Sequence, residues 1–162
     1  MKFGYDTSGL RIDQAIEELA RRTLAGVTDA CLMIEADAVE NYIEGKARNK
    51  KKRENSDAED ESEIGDSDAI SLAQSISSRV DVNGAKVVGT VGSGLEFAVY
   101  VHEGTGKEAP LGRKHDLPWS YQDEMGQWHT TSGMKPNPFL EKAFDENRSR
   151  AKQIVREAIF GK

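Results

Sequence analysis

Cysteine, proline and aromatic residues are all scarce: one Cys, four Pro and 7% Phe, Trp and Tyr in 162 residues. A single thiol excludes an intrachain disulfide framework and suits a reducing compartment. No apolar run approaches the roughly 20 residues that cross a bilayer. The N-terminus, MKFGYDTSGLRID, has no apolar core of the kind a secretory signal carries. Positive charge is also in deficit, with 22 Lys and Arg against 28 Asp and Glu for a net charge of −6. That balance opposes non-specific adhesion to nucleic acid or anionic membrane and leaves such contacts only to a local patch. The length suits one domain that buries about two-thirds of its unfolded surface. The expectation is a soluble, intracellular, single-domain protein spanning 1–162.

Catalytic and ligand motifs are missing as well. His102, His115, His129 and Cys31 lie at no spacing that sets two of them on one helical face or in a tight knuckle, so they do not make a zinc signal. Gly92-Ser-Gly94 and Gly104-Thr-Gly106 do not match a phosphate loop, because Gly106-Lys107 is followed by Glu108. Ser93 has no nucleophile elbow around it. The acids of Asp57 to Asp68 lack the spacing and turn glycine of a calcium loop. Cys31 sits beside an apolar helical stripe, where an inert buried thiol is the ordinary outcome. The sequence predicts no enzyme, no cofactor and no metal.

What is present predicts an α+β fold: an antiparallel sheet of about four strands, packed by a long N-terminal helix and a C-terminal helix. Ile12, Ile16, Leu19, Thr23, Val27, Ala30, Ile34 and Ala38 recur every three or four residues and place a helix over 9–45. At about 1.5 Å per residue it is longer than a small globule needs. Either Gly26 bends it, or part of it reaches beyond the domain towards a neighbouring chain. Residues 46–68 then read as a charged, disordered loop. Lys46, Arg48, Lys50, Lys51, Lys52 and Arg53 make six basic residues in eight, followed by eight acidic ones from Glu54 to Asp68. Sheet and arm occupy 69–135. One or two helical turns carry Ile70, Leu72, Ala73 and Ile76. Alternation over Arg79–Val82 and Ala85–Val91 brackets Asn83-Gly84, the pair that favours a type I′ hairpin turn. Leu95–His102 alternates as a third strand. Trp119–Gln122 and Gln127–Thr130 make an aromatic β-hairpin arm with little around it to bury its tryptophans. Over 137–160 the last helix starts with Asn137 as cap and Pro138 at its first position. Its stripe is Leu140, Ala143, Phe144, Ala151, Ile154, Val155 and Ala158.

Four motifs stand in order along the chain: Leu72-Ala-Gln-Ser-Ile76, a valine-rich hairpin, Phe97-Ala-Val-Tyr-Val-His-Glu-Gly-Thr105, and Gly133-Met-Lys-Pro-Asn-Pro-Phe-Leu140. An aromatic, glycine-bearing insertion, Trp119 to Trp128, lies before the last of them. In order and spacing the stretch from Leu72 to Ile159, about 90 residues, resembles the small tail-component proteins of long-tailed, lambdoid-type bacteriophages, the head–tail joining or tail-completion family. The charged segment Lys46 to Asp68 stands where those proteins carry Ala-Pro-x-Asp-Thr-Gly.

The resemblance implies a non-enzymatic virion protein of the neck or tail end. It would assemble in the host cytoplasm into a ring, usually of six subunits, between head connector and tail tube or tail terminator. Such a ring needs no cofactor and no membrane, and its lumen would touch phage DNA transiently. Candidate interface residues are Trp119, Tyr121, Trp128, Met134, Pro136, Pro138 and Phe139, since aromatic side chains dominate interface cores. Cyclic assembly needs two different complementary patches per subunit. The alternative is a nucleic-acid-binding or regulatory adaptor that uses the basic run 46–53.

Overall fold

Between Ile12 and Glu54 there is no proline and only two glycines, so nothing stops a helix once it starts. A computed structural model describes residues 11–54, 66–106, 119–122, 126 and 128–161, excluding the side chains at 52–54, 66, 67, 119, 121, 122 and 129. In it, α1 (Ile12–Glu54) runs for 43 residues, about 65 Å at 1.5 Å per residue. The basic run Lys46–Arg53 is therefore the end of this helix, not the start of a loop. Lys, Arg and Ala are good helix formers, and cations are favoured at a helix C-terminus. Of the expected loop, residues 55–65 lie outside the described residues, as does the expected helix start at Gly9.

Then come α2 (Asp66–Ser75), β1 (Ile76–Asn83) and β2 (Lys86–Ser93). The strands pair antiparallel from Ile76 with Ser93 to Asn83 with Lys86. This leaves Gly84-Ala85 as the two-residue turn. Gly84 has φ +60° and no non-glycine residue among those described has positive φ. A left-handed first position followed by an ordinary second one is the type II′ pattern, so the turn sits one residue beyond the expected Asn83-Gly84 type I′ turn.

Leu95–His102 does not form a third strand. Ser93 is half-buried and turns the chain away from the sheet: its hydroxyl oxygen accepts the Leu95 N–H at 3.1 Å and lies 2.6 Å from the Ser75 hydroxyl. Ser75 donates its own proton to the Leu72 carbonyl at 2.8 Å, so Ser93 is the donor of that pair. Beyond this bend the chain winds into a short helix, α3 (Ala98–Glu103), with Ala98 and Val101 buried and Val99 and Tyr100 outside. An almost wholly apolar segment satisfies a period of two and a period of 3.6 alike. The spacing of three between Ala98 and Val101 is the one the core uses.

The last elements are β3 (Trp119–Gln122), β4 (Trp128–Thr131) and α4 (Phe139–Phe160). β3 pairs with β4 antiparallel, from Trp119 with Thr131 to Gln122 with Trp128, and forms a sheet separate from β1–β2. The fold is α+β, with long N- and C-terminal helices and a two-stranded antiparallel sheet on α1. Among the described residues the four strands form two separate two-stranded sheets, not one sheet of about four strands.

The core gathers Ile34, Ala38 and Tyr42 of α1, Leu72 of α2, Ile76, the two buried residues of α3, and Phe139 and Ala143 of α4. The α4 stripe is as expected except at Phe144, which faces outward. The polar seam between the helices fixes their register. Asn147 donates to Asp37, Lys142 donates to Asn41 at 2.6 Å, and Asn137 donates to the Tyr42 carbonyl at 3.0 Å. Asn137 thus does not cap α4 with its side chain. Its amide reaches across to α1, its N–H donates to the Val101 carbonyl at 2.9 Å, and its own carbonyl accepts the Phe139 N–H at 2.8 Å.

Two glycines permit the close approach of α1 and α4. At Gly45, an added Cβ would occupy the place of the Asn137 amide; at Gly26, it would come 2.7 Å from the Ala158 Cβ and 3.0 Å from the Val155 Cα. Gly26→Ala is expected to destabilise. The helix gains about 1 kcal/mol of propensity, but overpacking against a rigid backbone costs about 1–3 kcal/mol. Denaturant unfolding measures the difference, and a more stable Gly26→Ala protein would show that the helices do not meet there.

Candidate interaction surfaces

The glycine-bearing motifs meet as a clasp. Thr105 donates its N–H to the Met134 carbonyl at 2.9 Å, and the Met134 N–H returns to the Thr105 hydroxyl at 2.8 Å. The Gly133 N–H donates to the buried Thr131 hydroxyl at 3.0 Å. Gly106 (φ +62°) and Gly133 (φ +114°) lie backbone to backbone, where a side chain on either would strike the other strand of the clasp. The clasp holds residue 106 beside residues 131–133, so the segment between them leaves and re-enters the body at one point. β3 and β4 belong to that segment, and Ser120 and Thr130 join hydroxyls across them at 3.0 Å.

Of the residues predicted to form an interface, Trp128 on β4 is 72% exposed and Pro136 and Pro138 are exposed. Trp119 and Tyr121 sit on β3, with side chains outside the described residues. Met134 packs against the core and Phe139 is 1% exposed. Phe139 is therefore a core residue: its ring meets Tyr42 and His102 edge-on, both at 5.4 Å. His102 accepts the Glu141 N–H at 3.4 Å, a weak bond to one of the free donors in the first turn of α4. His115 and the His129 side chain lie outside the described residues. Among the described residues no three His, Cys, Asp or Glu side chains gather into a metal-holding group.

A second surface belongs to the long apolar stripe of the N-terminal helix. In the observed register α4 ends opposite the stretch of α1 near Gly26, so roughly the first 12 residues of α1 project about 18 Å beyond it. There Ile12, Ile16 and Leu19 are 56%, 60% and 50% exposed. These residues open the predicted stripe, whose later members are the ones the core uses. Phe160 is exposed at the end of α4, where an open hollow of about 430 Å³ is lined by Gln153, Arg156, Glu157, Phe160 and Gly161.

On the polar flank of the projection, Glu18 accepts from Arg21 at 2.8 and 2.9 Å and from Arg22 at 2.6 Å. These hydrogen bonds hold its carboxyl at about 2, down from 4.5. Cys31 is buried beneath Gly89. Burial, with a smaller effect from Glu35, pushes its thiol up, which keeps it protonated and a poor nucleophile. The Tyr42 hydroxyl is buried with no partner among the described residues. Burial, then the charge of Asp68, raises its pKa.

No helix among the described residues is long and apolar enough to cross a membrane. No family model, curated protein or solved structure matches the chain.

Glu18 has a lowered pKa when folded. Its contribution is present above the unfolded value near 4.5 and is lost as the pH falls towards 2. Amide protection factors in the first turns of α1, taken relative to the intrinsic exchange rate at each pH, are expected to fall across that window. Arg21→Gln with Arg22→Gln should bring the Glu18 titration, followed by NMR, back towards 4.5. An unmoved midpoint would rule out the pairing. Tyr42→Phe removes an unpaired buried hydroxyl and should leave thermal stability equal or higher. Asn137→Ala, which removes the side-chain bond to the Tyr42 carbonyl and leaves the backbone bonds in place, should lose about 0.5–1.5 kcal/mol. The reverse order would show that the Tyr42 hydroxyl has a partner.

Proposed function

We propose that this chain is a non-enzymatic structural subunit of a long-tailed phage or prophage, and that it joins copies of itself into a ring at the head–tail junction. One observation carries the reading: two unlike exposed apolar surfaces lie at opposite ends of α1. The Ile12–Ile16–Leu19 stripe is at the N-terminal end. On the chain that leads into Asn137, which meets Gly45 at the far end, Trp128, Pro136 and Pro138 are exposed, while the clasp that anchors them is largely buried. From Ile16 to Gly45 along the helix is about 40 Å.

Apolar side chains repeated along a projecting helix gain most by burial against a partner. Unlike patches on one subunit pair head to tail, and head-to-tail contacts close into a ring when the rotation per copy closes. A second copy is the occupant that supplies both halves of such a contact. Support also comes from the motif order over Leu72–Leu140, because Gly104-Thr-Gly106 and Gly133–Phe139 are the segments that form the clasp and the start of α4. Neck and tail-end components, head connector and tail tube would be the further partners, with the ring acting in the virion.

Complementary variants test this in solution. Ile16→Glu disables one surface and Trp128→Ala the other, and both residues are exposed, so monomer stability should be unchanged. Each variant alone should run as a monomer by light scattering and native mass spectrometry. Mixed, they should form one-contact dimers, because each retains the surface the other lacks. A wild-type chain that stays monomeric at every concentration, or variants that fail to complement, would overturn the head-to-tail reading.

A further inference from the structure

The basic run carries six positive charges in eight residues, so the rest of the chain, against a total of −6, carries −12. The structure places this run on the C-terminal end of α1, just past the meeting of Gly45 with Asn137, and Lys46 and Lys51 each have a partner of their own. Past that point Arg48, Lys50 and Lys51 are exposed and Lys46 is half-buried. Arg48 and Lys50 have no ion pair among the described residues. Lys52 and Arg53 occupy the next positions of the same helix.

Cations at a helix C-terminus stabilise the helix itself, but that interaction fades within the last turn. This run covers two turns and surrounds the helix, which is more charge than capping uses. Like charges this close repel one another unless an anion shares them. We propose that the last two turns of α1 form a binding site for the phosphate backbone of double-stranded DNA.

The charge densities match. Eight residues span about 12 Å, and a duplex carries a phosphate charge every 1.7 Å or so of its axis, about seven over that length. Arg48, Lys50 and Lys51 are exposed on a helix about 10 Å across, and a groove about 12 Å wide admits such a helix. The phosphate contacts that Lys and Arg supply carry no sequence information, so the affinity of the site comes from charge. It does not depend on ring assembly: a monomer can bear it.

Fluorescence anisotropy of a labelled DNA duplex with the full-length chain tests the site against salt. With about four phosphate contacts, a fourfold rise in salt should weaken binding roughly 100-fold. Arg48→Glu with Lys50→Glu should weaken binding strongly and reduce the logarithmic salt slope by about 2. Arg148→Glu with Arg150→Glu, the same change of charge on the exposed face of α4, should leave the slope unchanged. Circular dichroism of each variant reads whether α1 persists, and Arg48→Gln with Lys50→Gln repeats the test without introducing acids. No binding at low salt would overturn the site, as would equal losses in both charge-reversed variants or tighter binding of polyglutamate than of duplex at equal charge.

Discussion

The arrangement of this protein hangs on the side-chain amide of Asn137. A carbonyl inside a helix keeps a spare lone pair after accepting its own backbone partner, and Asn137 uses the one on Tyr42. The approach is open only because residue 45 is glycine. With its N–H on Val101 and its carbonyl accepting Phe139, the same residue ties α1, α3 and the first turn of α4 together. Buried polar groups fully satisfied in this way specify one arrangement over its neighbours. Asn41–Lys142 and Asp37–Asn147 repeat the crossing further along the seam. A one-residue slip of α4 would break all three.

Fixing that register decides what is left uncovered. A 22-residue helix beside a 43-residue one must leave part of it bare at one end or both. Here the bare parts differ in kind: an apolar stripe with ion-paired flanks at the N-terminus, and a cationic rod at the C-terminus. Neither is needed to stabilise the core, which lies between them around Ala38, Leu72 and Phe139. The molecule is thus a small packed centre from which α1 extends both ways.

Much of the centre is legible in the sequence. The two long helices follow from apolar spacing, and the β1–β2 hairpin from alternation about Asn83-Gly84. Leu95–His102 misleads because it has too few polar residues for either period to stand out; the chain direction is set by Ser93, whose role depends on Ser75 being close in space. The run at Lys46–Arg53 reads as a loop when charge repulsion is weighed without helix propensity. Asn137 before a proline has the appearance of a cap, and only the facing Gly45 reveals another use. The stripe from Ile12 is legible as apolar spacing, but periodicity does not say how far along it the packing of α4 extends.

The clasp has a consequence for how this fold can vary. With Thr105 and Met134 bonded to each other in both directions, the two stems of the intervening segment are fastened independently of whatever joins them. Closing a longer excursion costs little, since loop entropy grows only with the logarithm of length. The body therefore tolerates exchange of that excursion as an interchangeable cassette: lineages facing different neighbours could swap it wholesale while Asn137 and the helical seam stay untouched.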